Sequence, residues 1–198
     1  MNLRQQKTME TKRKILTTAI KLFNEKGFSH VTVDEIIEKT STSKGAFYNH
    51  FKSKHDIFLE KFKEIDHFYV NEILPKLKPL KTAEAKLKYF LYLEMEYIEK
   101  DLGWDVTRTI YEQELNTERE SFFLDENRPL YHILKKIFEE GQKNGEFRQD
   151  LTSERLVVML SRVIRGFLYD WSIKKGSFSL VDEHIELFNI VIEGLMKR

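Results

Sequence analysis

The chain is expected to be an all-α protein of about nine helices, and three observations lead there. Apolar residues recur at three- and four-residue spacing through most of its 198 positions, and no stretch makes a convincing strand. Breakers are scarce, with eight Gly and three Pro set among abundant Leu, Lys, Glu, Ile and Phe. Where the periodic stretches begin there is usually a Ser or Thr, and where they end there is usually a Gly or Pro.

Helical periodicity starts at about Glu10, and Ile15, Leu16, Ala19, Ile20, Leu22 and Phe23 form a stripe that Gly27-Phe28 stops. Thr32 is the expected N-cap of a short second helix. Glu35, three residues on, completes a capping box, and Ile36 and Ile37 supply the buried side. Thr40-Ser41-Thr42 makes a tight turn. Ser43 caps a third short helix, whose Phe47 and Phe51 share one face at i and i+4. Lys52-Ser53-Lys54 marks the start of a long helix running to about Leu74, ended by Pro75 and Pro79. Five helices follow. They run from Thr82 to roughly Lys100, from Gly103 to Glu114, and from Pro129 to near Asn144-Gly145. The last two run from Thr152 or Ser153 to Gly176 and from Ser179 nearly to the end, and Asn116 to Asn127 reads as a loop.

Several function classes drop out. There is no Cys, which removes disulfide scaffolds and thiolate metal sites. Met1 to Lys26 has no apolar signal core, and runs such as Val157 to Leu160 are far too short to span a membrane. A soluble, cytoplasmic protein without membrane contact is expected. The six His residues make no His-Glu-x-x-His pattern, and there is no phosphate-cradling Gly loop or nucleophile elbow. No catalytic residue, metal or cofactor is assigned, and an enzyme is not expected.

The net charge of +1 conceals an asymmetry. Residues 1–54 carry eleven Lys or Arg against five Asp or Glu, whereas residues 55–198 carry 22 against 27. A basic head on an acidic body points to a polyanion meeting the head.

The head has the makings of a helix-turn-helix, in which a small core of Leu16, Ile20, Phe23, Val33, Ile36, Ile37, Phe47 and Phe51 holds the third helix rigid. Outward on that helix remain Lys44, Gly45, Ala46, Tyr48, Asn49 and His50, short or hydrogen-bonding groups suited to a major groove. The stretch Thr32 to Ile37, followed by Ser43-Lys44-Gly45-Ala46-Phe47-Tyr48-Asn49-His50-Phe51-Lys52-Ser53-Lys54, resembles the DNA-binding signature of the TetR family. The likeness is strong over about residues 10–58 and weak beyond.

That resemblance implies double-stranded operator DNA as partner, with Thr32, Ser43, Tyr48, His50 and Lys54 at phosphates and Lys44, Gly45, Ala46 and Asn49 facing base edges. Lys54, at a helix start where a cation opposes the dipole, would be relieved by a phosphate. One departure stands in the turn, where the family often has Ala-Gly-hydrophobic and this chain has Thr40-Ser41-Thr42. A left-handed Ser41 costs about 1–2 kcal/mol relative to Gly.

Two domains follow, 1–54 for DNA and 55–198 for a helical effector-binding and dimerisation body. The resemblance implies a small-molecule pocket among the middle helices, for which Tyr89, Tyr92, Trp104, Tyr111 and Tyr131 are candidates, each offering apolar area and one donor. The last two helices have broad apolar faces and suggest a four-helix bundle across a homodimer two-fold. Leu156, Leu160, Phe167, Phe188, Ile192 and Leu195 are its candidate residues. A repressor released from a palindromic operator by an apolar or amphipathic ligand is the resulting expectation. The alternative is a ligand-independent dimeric adaptor or architectural DNA binder, which an undivided core would favour.

Overall fold

The computed structural model describes residues 3–115 and 121–197, so residues 116–120 of the expected loop lie outside the described residues. Two compact units divide the chain, Met1–Ile65 and Asp66–Arg198. The division falls inside the fourth helix rather than at residue 54. The opening turns of that helix still belong to the N-terminal core, where Ile57 is buried and Glu60 pairs with Lys12 at 2.6 Å.

The first unit contains α1 (Leu3–Lys26), a 3-10 turn at Phe28–His30, α2 (Val33–Thr40), α3 (Lys44–His50) and the start of α4 (Lys54–Phe68). Helix α1 begins about two turns before the expected start at Glu10, since a polar segment can be helical without any apolar period to announce it. It stops at Gly27, whose φ of +84° only glycine adopts readily. Ile15, Ala19, Phe23, Ile36, Phe47 and Ile57 are completely buried. Each contributes roughly 1.5–3 kcal/mol if apolar and large. Val33 and Ile37, expected in this core, are half-buried, because α2 turns its Ile36–Thr40 line inward and leaves them at the edge.

Ser41 does sit in the left-handed region, at φ 51° and ψ 38°. Its N–H donates to Glu38 O at 3.1 Å, and Thr42 N–H reaches Ile37 O at 3.2 Å, closing α2. Buried Thr40 supports the turn through hydrogen bonds to Ile36 O and to the Thr42 hydroxyl at 2.8 Å. Ser41→Gly is expected to raise the stability of this unit by about 1 kcal/mol, readable as a higher midpoint in thermal unfolding.

In the second unit the long helical run passes Pro75 instead of ending there. A π-helical turn at Tyr69–Ile73 precedes α5 (Leu74–Leu77), accommodating a residue that lacks an N–H and crowds the preceding turn. This adds a helix to the expected nine. Then come α6 (Ala83–Tyr97), a second π turn at Ile98–Leu102, α7 (Trp104–Glu114), α8 (Pro129–Lys143), α9 (Ser153–Ile173) and α10 (Leu180–Leu195). Thr82, Thr152 and Ser179 cap α6, α9 and α10 by accepting backbone N–H bonds. Helix α6 packs on α8 and α10, and α9 packs on α7 and α8. Among the described residues there is no strand, only one isolated bridge between Phe147 and Met196.

Candidate nucleic-acid interface

Helix α3 is held from beneath by Phe47 and Phe51, which are buried, with ring centroids 5.9 Å apart. Lys44, Gly45, Tyr48 and Asn49 are exposed on its other side, and Ala46 and His50 are half-buried. The Tyr48 ring stands edge-on to Phe47 with its hydroxyl end free of the core. A Cβ on Gly45 would meet only Ser43 Oγ, at 4.0 Å, so nothing within the chain calls for glycine there.

The caps leave donors facing outward. Thr32 Oγ1 accepts the Glu35 N–H at 3.1 Å, and Ser43 Oγ accepts the Ala46 N–H at 3.1 Å. Each hydroxyl keeps its own hydrogen, which can be given to a phosphate oxygen. The Glu35 carboxylate pairs with Lys26 instead of folding back on Thr32, so only half of the expected capping box forms. Lys44 Nζ lies 2.9 Å from Asp34 Oδ1, a pair well exposed on both sides and worth little in water. Asp34's hydrogen bond and charge raise the Lys44 pKa, so the side chain stays charged and can exchange its partner for DNA. Burial, with the Lys12 charge behind it, lowers the His50 pKa. This favours the neutral ring, with one N–H donor, at neutral pH.

Lys54 has a different placement from the phosphate anchor expected of it. Its ammonium donates to Phe28 O at 2.7 Å and Val31 O at 3.0 Å and lies 4.2 Å from the Phe28 ring centre. Burial lowers its pKa. Two of its three donors thus tie the link between α1 and α2 to the start of α4. The dipole conflict at that helix start is answered locally by Asp56, whose carboxylate accepts the Lys52 N–H at 2.7 Å and the Ser53 hydroxyl at 3.3 Å. The Ser53-x-x-Asp56 spacing was the available signal for this cap.

In the body the five aromatic candidates do not meet at one place. Tyr89 and Tyr92 stack 6.1 Å apart on the outer side of α6, beside a groove of about 400 Å³ that His184, Ile185 and Phe188 of α10 also line. Tyr111 donates to Arg165 O at 2.8 Å and stands edge-on to Phe123. Tyr131 donates to Phe123 O, which the Arg165 guanidinium also reaches at 3.1 Å. Trp104 packs against Gly176, where a Cβ would lie 3.1 Å from the Trp104 Cβ.

Sequence reasoning did not single out Glu94. It is 3% exposed on α6, accepts the Tyr69 hydroxyl at 2.7 Å on Oε1, and has no hydrogen-bond partner for Oε2 among the described residues. Burial pushes its carboxyl up to about 7, against the pull of the Tyr69 hydrogen bond and the Arg128 charge. Arg128 is itself held by Asp66 at 3.1 Å and stacked over Phe122. Among the described residues no three His, Asp or Glu gather to hold a metal ion, and no helix is long and apolar enough to cross a membrane.

A family model described as bacterial regulatory proteins, tetR family, matches residues 15–60. A second, the C-terminal region of YsiA-like protein, matches residues 58–194. The chain belongs to the TetR family. The TetR-family regulator QacR of Staphylococcus aureus (strain Mu50) is 32% identical over 146 residues, covering 70% of this chain and 74% of QacR. YerO, an HTH-type transcriptional regulator of Bacillus subtilis (strain 168), is 24% identical over 95% of this chain, which spans 66% of YerO's length. The fold is also that of Bacillus subtilis FadR, solved in complex with stearoyl-CoA. There the TM-score is 0.72 at 20% identity, over 92% of this chain and 98% of FadR. This TetR-family member is accordingly a transcriptional regulator with a helix-turn-helix head and a helical C-terminal region.

Its last two helices place the dimer candidates as follows. Leu156, Leu160, Phe188, Ile192 and Leu195 are buried within their own chain, and Phe167 is half-buried. They hold the monomer together, because on broad apolar faces the most regular positions go to the protein's own core. The apolar residues left exposed are others, Met159, Tyr169 and Ile173 on α9 and Ile185 and Ile190 on α10.

Proposed function

We propose that this TetR-family regulator is a cytoplasmic homodimeric repressor. It binds a palindromic operator through α3 and leaves it when a small apolar or amphipathic ligand enters the body. The observation that carries the DNA part is the α3 surface. Lys44, Gly45, Tyr48 and Asn49 are outward on a helix whose opposite face is locked by Phe47 and Phe51, with Thr32 and Ser43 hydroxyls flanking it. Two such helices must stand one DNA turn apart, on the order of 34–36 Å, to enter successive major grooves. A ligand that binds one spacing better than the other shifts the population toward it, and α4 is the element through which a tilt would act.

The sensor reading is favoured over the adaptor by Glu94. A body that only dimerised would have no use for a carboxylate buried with one oxygen unpartnered, a group that costs free energy in any fold. Stearoyl-CoA, the ligand in the FadR complex, is the first amphipathic compound to test.

Operator duplexes can be selected by the protein from a random pool. On these, Asn49→Ala is expected to cost roughly 1–3 kcal/mol at one base pair in each half-site and to leave the remaining preferences intact. An unchanged preference profile in the variant would remove Asn49 from base reading. Titration with stearoyl-CoA is expected to lower operator affinity, and a ligand that binds without doing so argues for the adaptor.

A further inference from the structure

The opening two turns of α1 bury no core. Residues 4–10 are all exposed, Met9 included, so packing gives no reason for the helix to begin as early as Leu3. One face of this segment is nevertheless organised. Arg4, Lys7, Thr8 and Thr11 follow the i, i+3, i+4, i+7 spacing and line one wall of a cleft of about 620 Å³. Ala46, Asn49 and His50 of α3 form the other wall.

The lining chemistry is one-sided. It holds two permanent cations, a histidine, an amide and two hydroxyls, and no carboxylate. The threonines are committed locally, Thr8 Oγ1 donating to Arg4 O at 2.8 Å and Thr11 Oγ1 to Lys7 O at 2.9 Å, which ties this stretch of helix to itself. Neither Arg4 nor Lys7 has an ion-pair partner among the described residues, whereas nearby Lys12 is taken by Glu60. Two unmatched cations beside a neutral, partly buried His50 make a cleft that stabilises an anion.

We propose that this face of α1 is a second phosphate-binding element of the DNA interface. Arg4 and Lys7 would hold the backbone phosphates that border the groove entered by α3. The inference rests on α3 being the recognition helix. A helix in a major groove about 12 Å wide has a phosphate chain on each flank, and the cleft lies on the flank where Asn49 and His50 leave α3. The groups that act are the side chains of one helical face. Arg4 suits a bidentate grip on a phosphate, and Lys7 supplies a point charge beside it.

The test uses the full chain, a selected operator duplex and a scrambled duplex of equal length, with affinities measured between 50 and 200 mM KCl. For R4A/K7A, which removes two cations from each protomer and so four from the operator-bound dimer, the slope of log K against log salt is expected to fall by about 3.6, close to 0.9 for each phosphate that is no longer neutralised. Affinity for both duplexes should drop by a similar factor, with the ratio between them and the thermal midpoint unchanged. R4K/K7R is expected to keep the slope. A wild-type slope in R4A/K7A overturns the proposal, as does a loss confined to the operator duplex, which would signal base reading instead. Asn49→Ala on the same duplexes separates the two ideas. If it alters base preference while R4A/K7A leaves the slope intact, only the α1 assignment fails; if it alters nothing, the α3 assignment fails and takes this proposal with it.

Discussion

Gly166→Arg is expected to yield a monomer that binds operator DNA on the order of 100-fold more weakly than the native protein. The two half-sites would then be met by separate chains, and the gain from linking two binding events, typically 10²–10⁴, would be lost. Gly166 lies in the middle of α9, where glycine costs about 0.5–1 kcal/mol relative to alanine. A Cβ there would meet nothing within 4 Å of its own chain, and the same holds for Gly194 in α10. The monomer gains nothing from either glycine. Met159 and Ile173 stand seven residues to each side of Gly166 and are exposed, and Ile190, four residues before Gly194, is 65% exposed. Apolar side chains flanking a bare stretch of helix are what a second helix needs in order to approach closely. Because arginine at 166 points into open space, the fold of the chain should survive, and an unchanged circular dichroism spectrum checks that. Sedimentation reads the oligomeric state. A variant that sediments as a dimer and keeps operator affinity would take α9 out of the interface.

The contrast between Gly166 and Leu156 shows what a single sequence exposes and what it hides. Periodicity identifies an apolar stripe on α9 and α10, but a stripe broad enough for two neighbours does not say which edge faces the chain's own core. Leu156, Leu160, Phe188, Ile192 and Leu195 fit the period and are buried inside the monomer. The head was legible in far more detail, because its signals are local. The Thr32 and Ser43 caps, the left-handed Ser41 and the Phe47–Phe51 face each depend on residues within four positions of one another. Contacts between distant positions carry no such mark. Lys54 with the carbonyls of Phe28 and Val31, Asp66 with Arg128, and Tyr69 with Glu94 join residues 23 to 62 apart. The polar start of α1 escaped for a third reason, since a helix that buries nothing leaves no apolar period to read.

Glu94→Gln is expected to abolish most of the pH dependence of the body's stability between about pH 5 and 8. The carboxyl, at 4.5 when unperturbed, is pushed up to about 7 in the folded chain by burial. The native state therefore holds its proton more tightly than the unfolded one. Below 4.5 both states are protonated and Glu94 adds no pH dependence. Between 4.5 and 7 the unfolded chain has lost a proton that the native chain keeps, so stability falls as pH rises. Above 7 both are ionised and the penalty is complete, on the order of 3 kcal/mol. Glutamine has no charge to bury, and its carbonyl can still accept the Tyr69 hydroxyl. Its amide N–H groups replace Oε2, at a cost of about 1–3 kcal/mol if they remain unpartnered. Near pH 5 the variant should then be no more stable than the native protein, and at pH 8 it should have gained roughly 2–3 kcal/mol on it. Urea unfolding at the two pH values reads this as two midpoints that converge or cross. Parallel pH profiles would mean that Glu94 is ionised in the fold without penalty, and that the body carries no costly buried charge for the sake of a ligand. If the gain appears together with a loss of response to every ligand that releases operator DNA, the destabilising carboxylate is there for sensing.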